Sequence, residues 1–391
     1  MNSFHSLRLL MKNKRIDGLR GLAAINVVLA HFVSAFLPMM FHKYLPAVFH
    51  ENVSPSVPFQ IFTAPFISIV YNGHLAVLIF FIISGYVLTL PYYSNDFTDN
   101  LVLKKRLFGR YLRLNLPIAF AILISYIIYK LDLYSNVQAA EISGSMNWFN
   151  QFYPNGITLT LAVTEGVYTS IFWGESVLIP ALWTIKIEFI GSLYVLIYYI
   201  SKSKIRTQVH LLVVLCLIYA VHQQNSIYYF ALFFGSFLTR LKNVPVNKFF
   251  IFAVGYYFGA FQFKSLGYDF LPDLNFLNFD IWDKKTFYNA IGAAFITLAT
   301  VKGFGSKILE TPFAQFLGKI SYSVYLIHTI VLCSITSFLY ILFPKYNVCL
   351  LANLVLYLVI CILAAVVFEK VVDRKSVSIA RKFSARIFTL N

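Results

Sequence analysis

The stretch Arg15-Ile-Asp-Gly-Leu-Arg-Gly-Leu-Ala-Ala-Ile-Asn-Val-Val-Leu-Ala-His31 decides the fold class. A cationic lead gives way at Leu22 to an apolar run, and a single histidine stands inside that run. On a helix, the eleven steps from Arg20 to His31 measure about 16 Å along the axis. With Arg20 at one face of a membrane, His31 lies near the middle of a hydrocarbon core about 30 Å thick. An ionisable group at that depth is costly, so the segment reads as a membrane helix that turns His31 toward a protein-lined or wet cavity. A histidine that simply hydrogen-bonds between helices is the alternative. Lys12, Lys14 and Arg15 ahead of an apolar run also fit a secretory signal. No small-x-small cleavage site follows, however, and the run fits a retained first span.

The rest of the chain extends that reading. Of 391 residues, 59% are hydrophobic and 12% charged, with a mean hydropathy of +0.71; a soluble domain carries about 25% charged residues. The fold class is therefore all-α and polytopic, with no hydrophilic stretch long enough for a separate soluble domain. Apolar windows at about 21–38, 73–91, 112–130, 181–200, 209–223, 226–240, 248–263, 286–302, 320–342 and 347–368 give ten candidate spans. They form one transmembrane domain, 21–368, between an N-terminal segment, 1–20, and a basic tail, 369–391.

The formal charge of +16 does not imply nucleic acid, because Lys and Arg fall between apolar windows rather than on one soluble face. With the N-terminus inside, all cations but Lys43, Lys130, Lys186, Lys264, Lys284, Lys285 and Lys345 collect on the cytoplasmic side. Both termini are then cytoplasmic and the number of spans is even. Cys216, Cys333, Cys349 and Cys361 lie in apolar segments without metal-ligand spacing, so they read as packing and no metal is expected. The connection 131–180 holds Asp132, Glu141, Glu165 and Glu175 among aromatics such as Trp148, Phe149, Tyr153 and Trp173. It either covers a site or serves as a spacer. The connection 264–285 is acidic, with Asp269, Asp273, Asp280 and Asp283. Absence of an internal repeat weighs against an inverted-repeat transporter.

Three further segments carry candidate chemistry. Glu188, in Leu182-Trp-Thr-Ile-Lys-Ile-Glu188, is expected within a few ångströms of His31 in height, there to orient a substrate hydroxyl, to stabilise an imidazolium, or to serve as a structural hydrogen-bonding group. Lys186 faces elsewhere. His328 lies about 12 Å into its helix, which suggests a polar cavity shared with His31 or a packing role. In Lys104-Lys-Arg-Leu-Phe-Gly-Arg-Tyr-Leu-Arg113, Arg110 and Arg113 stand at i and i+3, where two guanidinium forks could grip the phosphates of an anionic cofactor. Positive-inside bias alone also accounts for that run.

Taken together, the segments resemble the acyltransferase-3 family of membrane acyltransferases, which includes O-antigen and other polysaccharide O-acetylases. The resemblance covers nearly the whole chain. It rests on Asp17-Gly-Leu-Arg20-Gly with His31, Gly73-His-Leu-Ala-Val-Leu-Ile-Phe-Phe-Ile-Ile-Ser84-Gly85, Arg110-Tyr-Leu-Arg113, Leu182-Trp183-Thr184 with Glu188, and Gly318-Lys-Ile-Ser-Tyr322-Ser-Val-Tyr325-Leu-Ile-His328. Trp183-Thr-Ile stands where many members have Trp-Ser-Leu. Some members carry a fused extracytoplasmic esterase-like domain, whereas the membrane domain read here is expected to act alone or with a separate partner.

The resemblance implies a ten-helix core in a bacterial inner membrane, with acetyl-CoA or another acyl-CoA as donor, an essential Arg20 and His31 pair, and Arg110 and Arg113 near that donor. Asp17, Ser84, Trp183, Tyr322 and His328 become supporting or substrate-binding residues. The acceptor would be a glycan or lipid-linked saccharide, with membrane lipid and polysaccharide-biosynthesis proteins as further partners. His31 would act as general base, assisted by Glu188, or relay the acyl group. A transporter or flippase for lipid-linked glycan, with His31 and Glu188 in a proton or substrate pathway, is the rival reading.

Overall fold

A computed structural model describes residues 13–41, 64–94, 101–201, 207–261, 267–272, 283–343 and 347–387. Asp273, Asp280, Lys43, Lys264 and Lys345 lie outside them. The described residues hold helices and no strand. The longer helices are α1 (Lys14–Phe36), α2 (Gly73–Ser94), α3 (Leu101–Lys130), α4 (Trp183–Ser201), α5 (Thr207–His222), α6 (Ser226–Leu241), α7 (Lys248–Gly259), α8 (Lys284–Val301), α9 (Pro312–Val331, extended by a π-helical turn, Leu332–Thr336, and Ser337–Leu342), α10 (Asn347–Phe368) and α11 (Arg374–Ile387). Local signals set several starts. Thr311 caps α9 through Ala314 N with Pro312 at the first helical position, Asp283 caps α8, and Asn247 caps α7.

Each of the ten expected apolar windows overlaps a helix, though the window 248–263 runs past the end of its helix at Gly259. Seven described segments are long and apolar enough to cross a membrane: Lys14–Phe36, Gly73–Tyr93, Leu101–Lys130, Pro180–Ser201, Gln208–Leu241, Pro312–Leu342 and Val348–Ile387. Gln208–Leu241 is a hairpin of α5 and α6 reversed at Gln223–Asn225, where Gln223 has φ 38°. At 16 residues, each arm reaches about 24 Å, short of a core about 30 Å thick.

Several boundaries differ from those read by hydropathy. α1 starts at Lys14, α3 at Leu101 and α9 at Pro312, and α10 continues through a π-helical turn, Glu369–Asp373, into α11. Tertiary packing explains the start of α3 and the continuation of α10. α11 lies along α3, with Ser376, Ala380 and Ser384 buried and Ala380 and Ser384 against Gly109. Hydropathy registers the charges of these segments and not the contact that keeps them helical.

Small residues set the closest helix pairs. α1 and α9 run parallel, and a Cβ on Gly21 would come within 2.5 Å of Gly318 N. α2 and α6 approach reciprocally, Gly85 against the Leu232 carbonyl and Gly235 against that of Ile82. Such contacts let backbones meet where no hydrophobic force favours one apolar neighbour over lipid. Glycines in these motifs therefore serve packing. Pro91, inside α2, removes the N–H that would have bonded the Val87 carbonyl. Arg106 Nη1 takes that place, 2.7 Å from Val87 O and 2.9 Å from Leu88 O.

Candidate active site

Parallel packing of α1 and α9 carries the contact at Gly21 and Gly318 upward by ten residues in each helix, to His31 and His328. Their rings meet edge-on with centroids 4.8 Å apart. His31 Nδ1 lies 2.9 Å from Val27 O, and His328 Nδ1 lies 2.7 Å from Tyr325 O. A carbonyl only accepts, so in both rings Nδ1 carries the proton and Nε2 the lone pair. His328 is fully buried, and its Nε2 has no hydrogen-bond partner among the described residues. His31 is half-buried.

The 131–180 connection reaches this point as folded structure. Ser135 N donates to Cys333 O at 2.9 Å and Ser145 Oγ to Ala35 O at 2.9 Å, which ties the connection to the extension of α9 and to α1. Asn136 Nδ2 holds Phe149 O at 2.8 Å. Between these anchors Trp148 is brought to 5.8 Å from the His31 ring. Glu165 takes a structural place, accepting from Ser176 Oγ, Val177 N and Leu178 N.

At the other end of the bundle, Arg110 forms an ion pair with Glu188, and Ser84 donates to the same carboxylate. Arg110 Nε donates to Ser192 Oγ at 2.8 Å, and its Nη2 lies 3.4 Å from Ser84 Oγ. Arg113 reaches Asp373 in the π-turn at 2.6 Å and sits 5.3 Å from the centroid of Tyr322, whose hydroxyl donates to Leu114 O. Arg20 donates to Gly318 O at 2.8 Å and pairs with Asp17 at 3.2 Å, leaving its buried Nε without a hydrogen-bond partner among the described residues.

Glu188 does not stand level with His31. Thr184 meets Tyr325 by a hydroxyl–hydroxyl bond. From there Glu188 is four residues further along α4, and His328 three residues the other way along α9. At 1.5 Å per residue the two heights differ by about 10 Å. The sequence counts Glu188 inward from a boundary at Trp183, whereas the start of α4 meets α9 at Tyr325, one turn from His328. No hydrogen bond joins Glu188 to His31 among the described residues, and the carboxylate belongs to the Arg110 group.

Two groups were missed by sequence reasoning. Asp373 falls in a tail that reads as basic, and only the π-turn places it against Arg113. His74 stands in the Gly73–Gly85 motif, where the sequence alone gives it no role. Trp183, by contrast, was expected near substrate; it is 39% exposed and packs on Tyr228, centroids 5.6 Å apart. Among the described residues no group of three or more His, Cys, Asp and Glu could hold a metal ion.

A family model described as an acyltransferase domain matches residues 13–369. The chain is also similar to Acyltransferase R4 of Phoma sp. (strain ATCC 20986 / MF5453), 23% identical over 400 residues that cover 83% of this chain and 82% of that protein. No solved structure matches.

Proposed function

The chain belongs to the acyltransferase-3 family of membrane acyltransferases, and on that premise we propose that it moves an acyl group, acetyl first among the candidates, from cytoplasmic acyl-CoA to a hydroxyl of a cell-surface or lipid-linked glycan. Ten crossings with both termini cytoplasmic, in a bacterial inner membrane, complete the reading, with polysaccharide-biosynthesis proteins as neighbours. The observation that carries it is the His31 ring, pinned by Nδ1–H on Val27 O at 2.9 Å so that Nε2 keeps its lone pair.

In this scheme Nε2 takes the proton of the acceptor hydroxyl as its oxygen attacks the thioester carbonyl. The C–S bond breaks, and the imidazolium returns the proton to the departing thiolate. Acyl relay through Nε2 is the two-step version. The imidazole attacks the carbonyl and the C–S bond breaks to leave the thiolate. The acceptor oxygen then attacks the acyl-imidazolium, the C–N bond breaks, and the hydroxyl proton passes to the thiolate. Arg20, with an uncommitted buried Nε–H, and the Arg110 and Arg113 forks would hold the donor's phosphates. Glu188 acts in this scheme by fixing Arg110. Ser84, Tyr322 and Asp17 orient the three arginines, and His328 walls the imidazole.

The test is acyl-CoA turnover by purified protein in liposomes, wild type against His31→Ala, with folding and donor binding confirmed for both. CoA release by the wild type alone supports the reading. Equal turnover removes His31 from the chemistry, and absence of donor binding in both removes the donor.

A further inference from the structure

A second set of polar side chains meets away from His31, where the starts of α2, α4, α6 and α8 converge. His74, the second residue of α2, has Nε2 2.9 Å from Thr286 Oγ1 and 3.3 Å from the Tyr228 hydroxyl. Thr286 Oγ1 lies 3.2 Å from Asp283 Oδ2, which also accepts from Thr286 N at 3.1 Å. With the Thr286 proton on Asp283, which only accepts, the His74 Nε2–H turns to the Thr286 and Tyr228 oxygens. In that tautomer the lone pair is on Nδ1, which makes no hydrogen bond among the described residues. His74 is half-buried.

The set borders the His31 site on two sides. A Cβ on Gly73 would come within 2.9 Å of Ala30 Cβ, which puts the start of α2 beside the turn of α1 that carries His31. By the other route, Tyr228 packs on Trp183, the adjoining Thr184 bonds Tyr325, and the Tyr325 ring lies 5.8 Å from His328, the neighbour of His31. A band of aromatic and polar side chains thus joins the two imidazoles.

We propose that His74 and Trp183 form a subsite for a pyranose ring of the acceptor, on the flank of His31. This rests on the acyl-transfer reading and specifies the substrate of the same site. A sugar ring presents a face of C–H groups and an edge of hydroxyls. The exposed indole offers the first an apolar, polarisable surface, and the His74 Nδ1 lone pair accepts a hydrogen bond from the second. A simple alcohol needs neither. The Asp283–Thr286 chain supplies the tautomer, so Thr286 is a positioning residue here.

Two acceptors sharing one alkyl tail, octyl β-D-glucopyranoside below its micellar concentration and 1-octanol, separate ring recognition from hydroxyl chemistry. With acetyl-CoA and the full chain in liposomes, the wild type should acetylate the glucoside with at least about ten-fold higher kcat/KM. His74→Ala should erase that preference through KM, leaving the octanol rate and acceptor-free CoA release unchanged. Thr286→Val, close to isosteric, should produce a smaller loss of the same kind and replaces His74→Ala if that variant does not fold. Wild-type protein without preference for the ring, or variants that lose both acceptors in parallel, would overturn the subsite alone. Lack of CoA release by the wild type with either acceptor would instead sink the acyl-transfer reading and the subsite with it.

Discussion

Around Arg110, side chains from α2, α3 and α4 satisfy one another: Glu188 accepts from Arg110 and Ser84, and Ser192 takes the remaining guanidinium edge. Around His31 the polar atoms are held but not used up. Each imidazole spends its proton on a backbone carbonyl of its own helix, and the His328 Nε2 stays bare. Charges away from water must be paired to be tolerated, whereas a neutral ring can keep a lone pair in reserve at moderate cost. The difference teaches where to look for proton transfer and where for anion binding by exchange of partners.

The largest effect expected from breaking this contrast is at His31. His31→Ala should lower kcat by about 10²- to 10⁴-fold, the range of general acid–base catalysis, with donor affinity measured by calorimetry unchanged. Next comes Arg110→Gln, which strands a Glu188 side chain that is 17% exposed. Thermal unfolding in detergent should show a loss of about 3–5 kcal/mol. An Arg110→Met, Glu188→Met pair should recover most of that stability while donor binding stays lost. Recovery of both would show that the pair is structural only.

Packing gives the next step down. Gly21→Ala puts a methyl against the Gly318 backbone, and overpacking of this kind costs about 1–3 kcal/mol. Turnover should fall further than stability, because the same contact sets the spacing of the histidines. The smallest effect belongs to Arg106→Ala, which leaves the Val87 carbonyl without its partner for about 1–2 kcal/mol. Adding Pro91→Ala restores the helix's own donor and should rescue the loss. An unrescued double variant would mean that Arg106 is needed for its charge.

Much of this was legible in the sequence for definite physical reasons. Apolar length located the helices, and the cost of burying an imidazole singled out His31 and His328 before any contact was known. The i, i+3 arginines were legible from helix geometry. What escaped depends on which helix lies beside which. Neither the π-turn that turns Asp373 onto Arg113 nor the level at which α4 starts against α9 has a local signature, so Glu188, expected within a few ångströms of His31 in height, lies about 10 Å from it. Likewise His74 gains partners only because Tyr228 and Thr286 arrive from α6 and α8. The 131–180 connection, ambiguous as a string, folds over His31 because Ser135 and Ser145 find carbonyls on the two histidine-bearing segments.

The contact of α1 with α9 makes the two helices a matched pair of rulers. Arg20 touches the Gly318 carbonyl across 298 residues of chain, and both helices count ten residues from Gly21 or Gly318 to the paired imidazoles. One residue inserted in either count would swing its ring by about 100° and slide it about 1.5 Å, whereas the same insertion in both would keep them in step. Length between these marks is therefore a shared trait of two distant segments, and viable changes to it should arise only as coupled events.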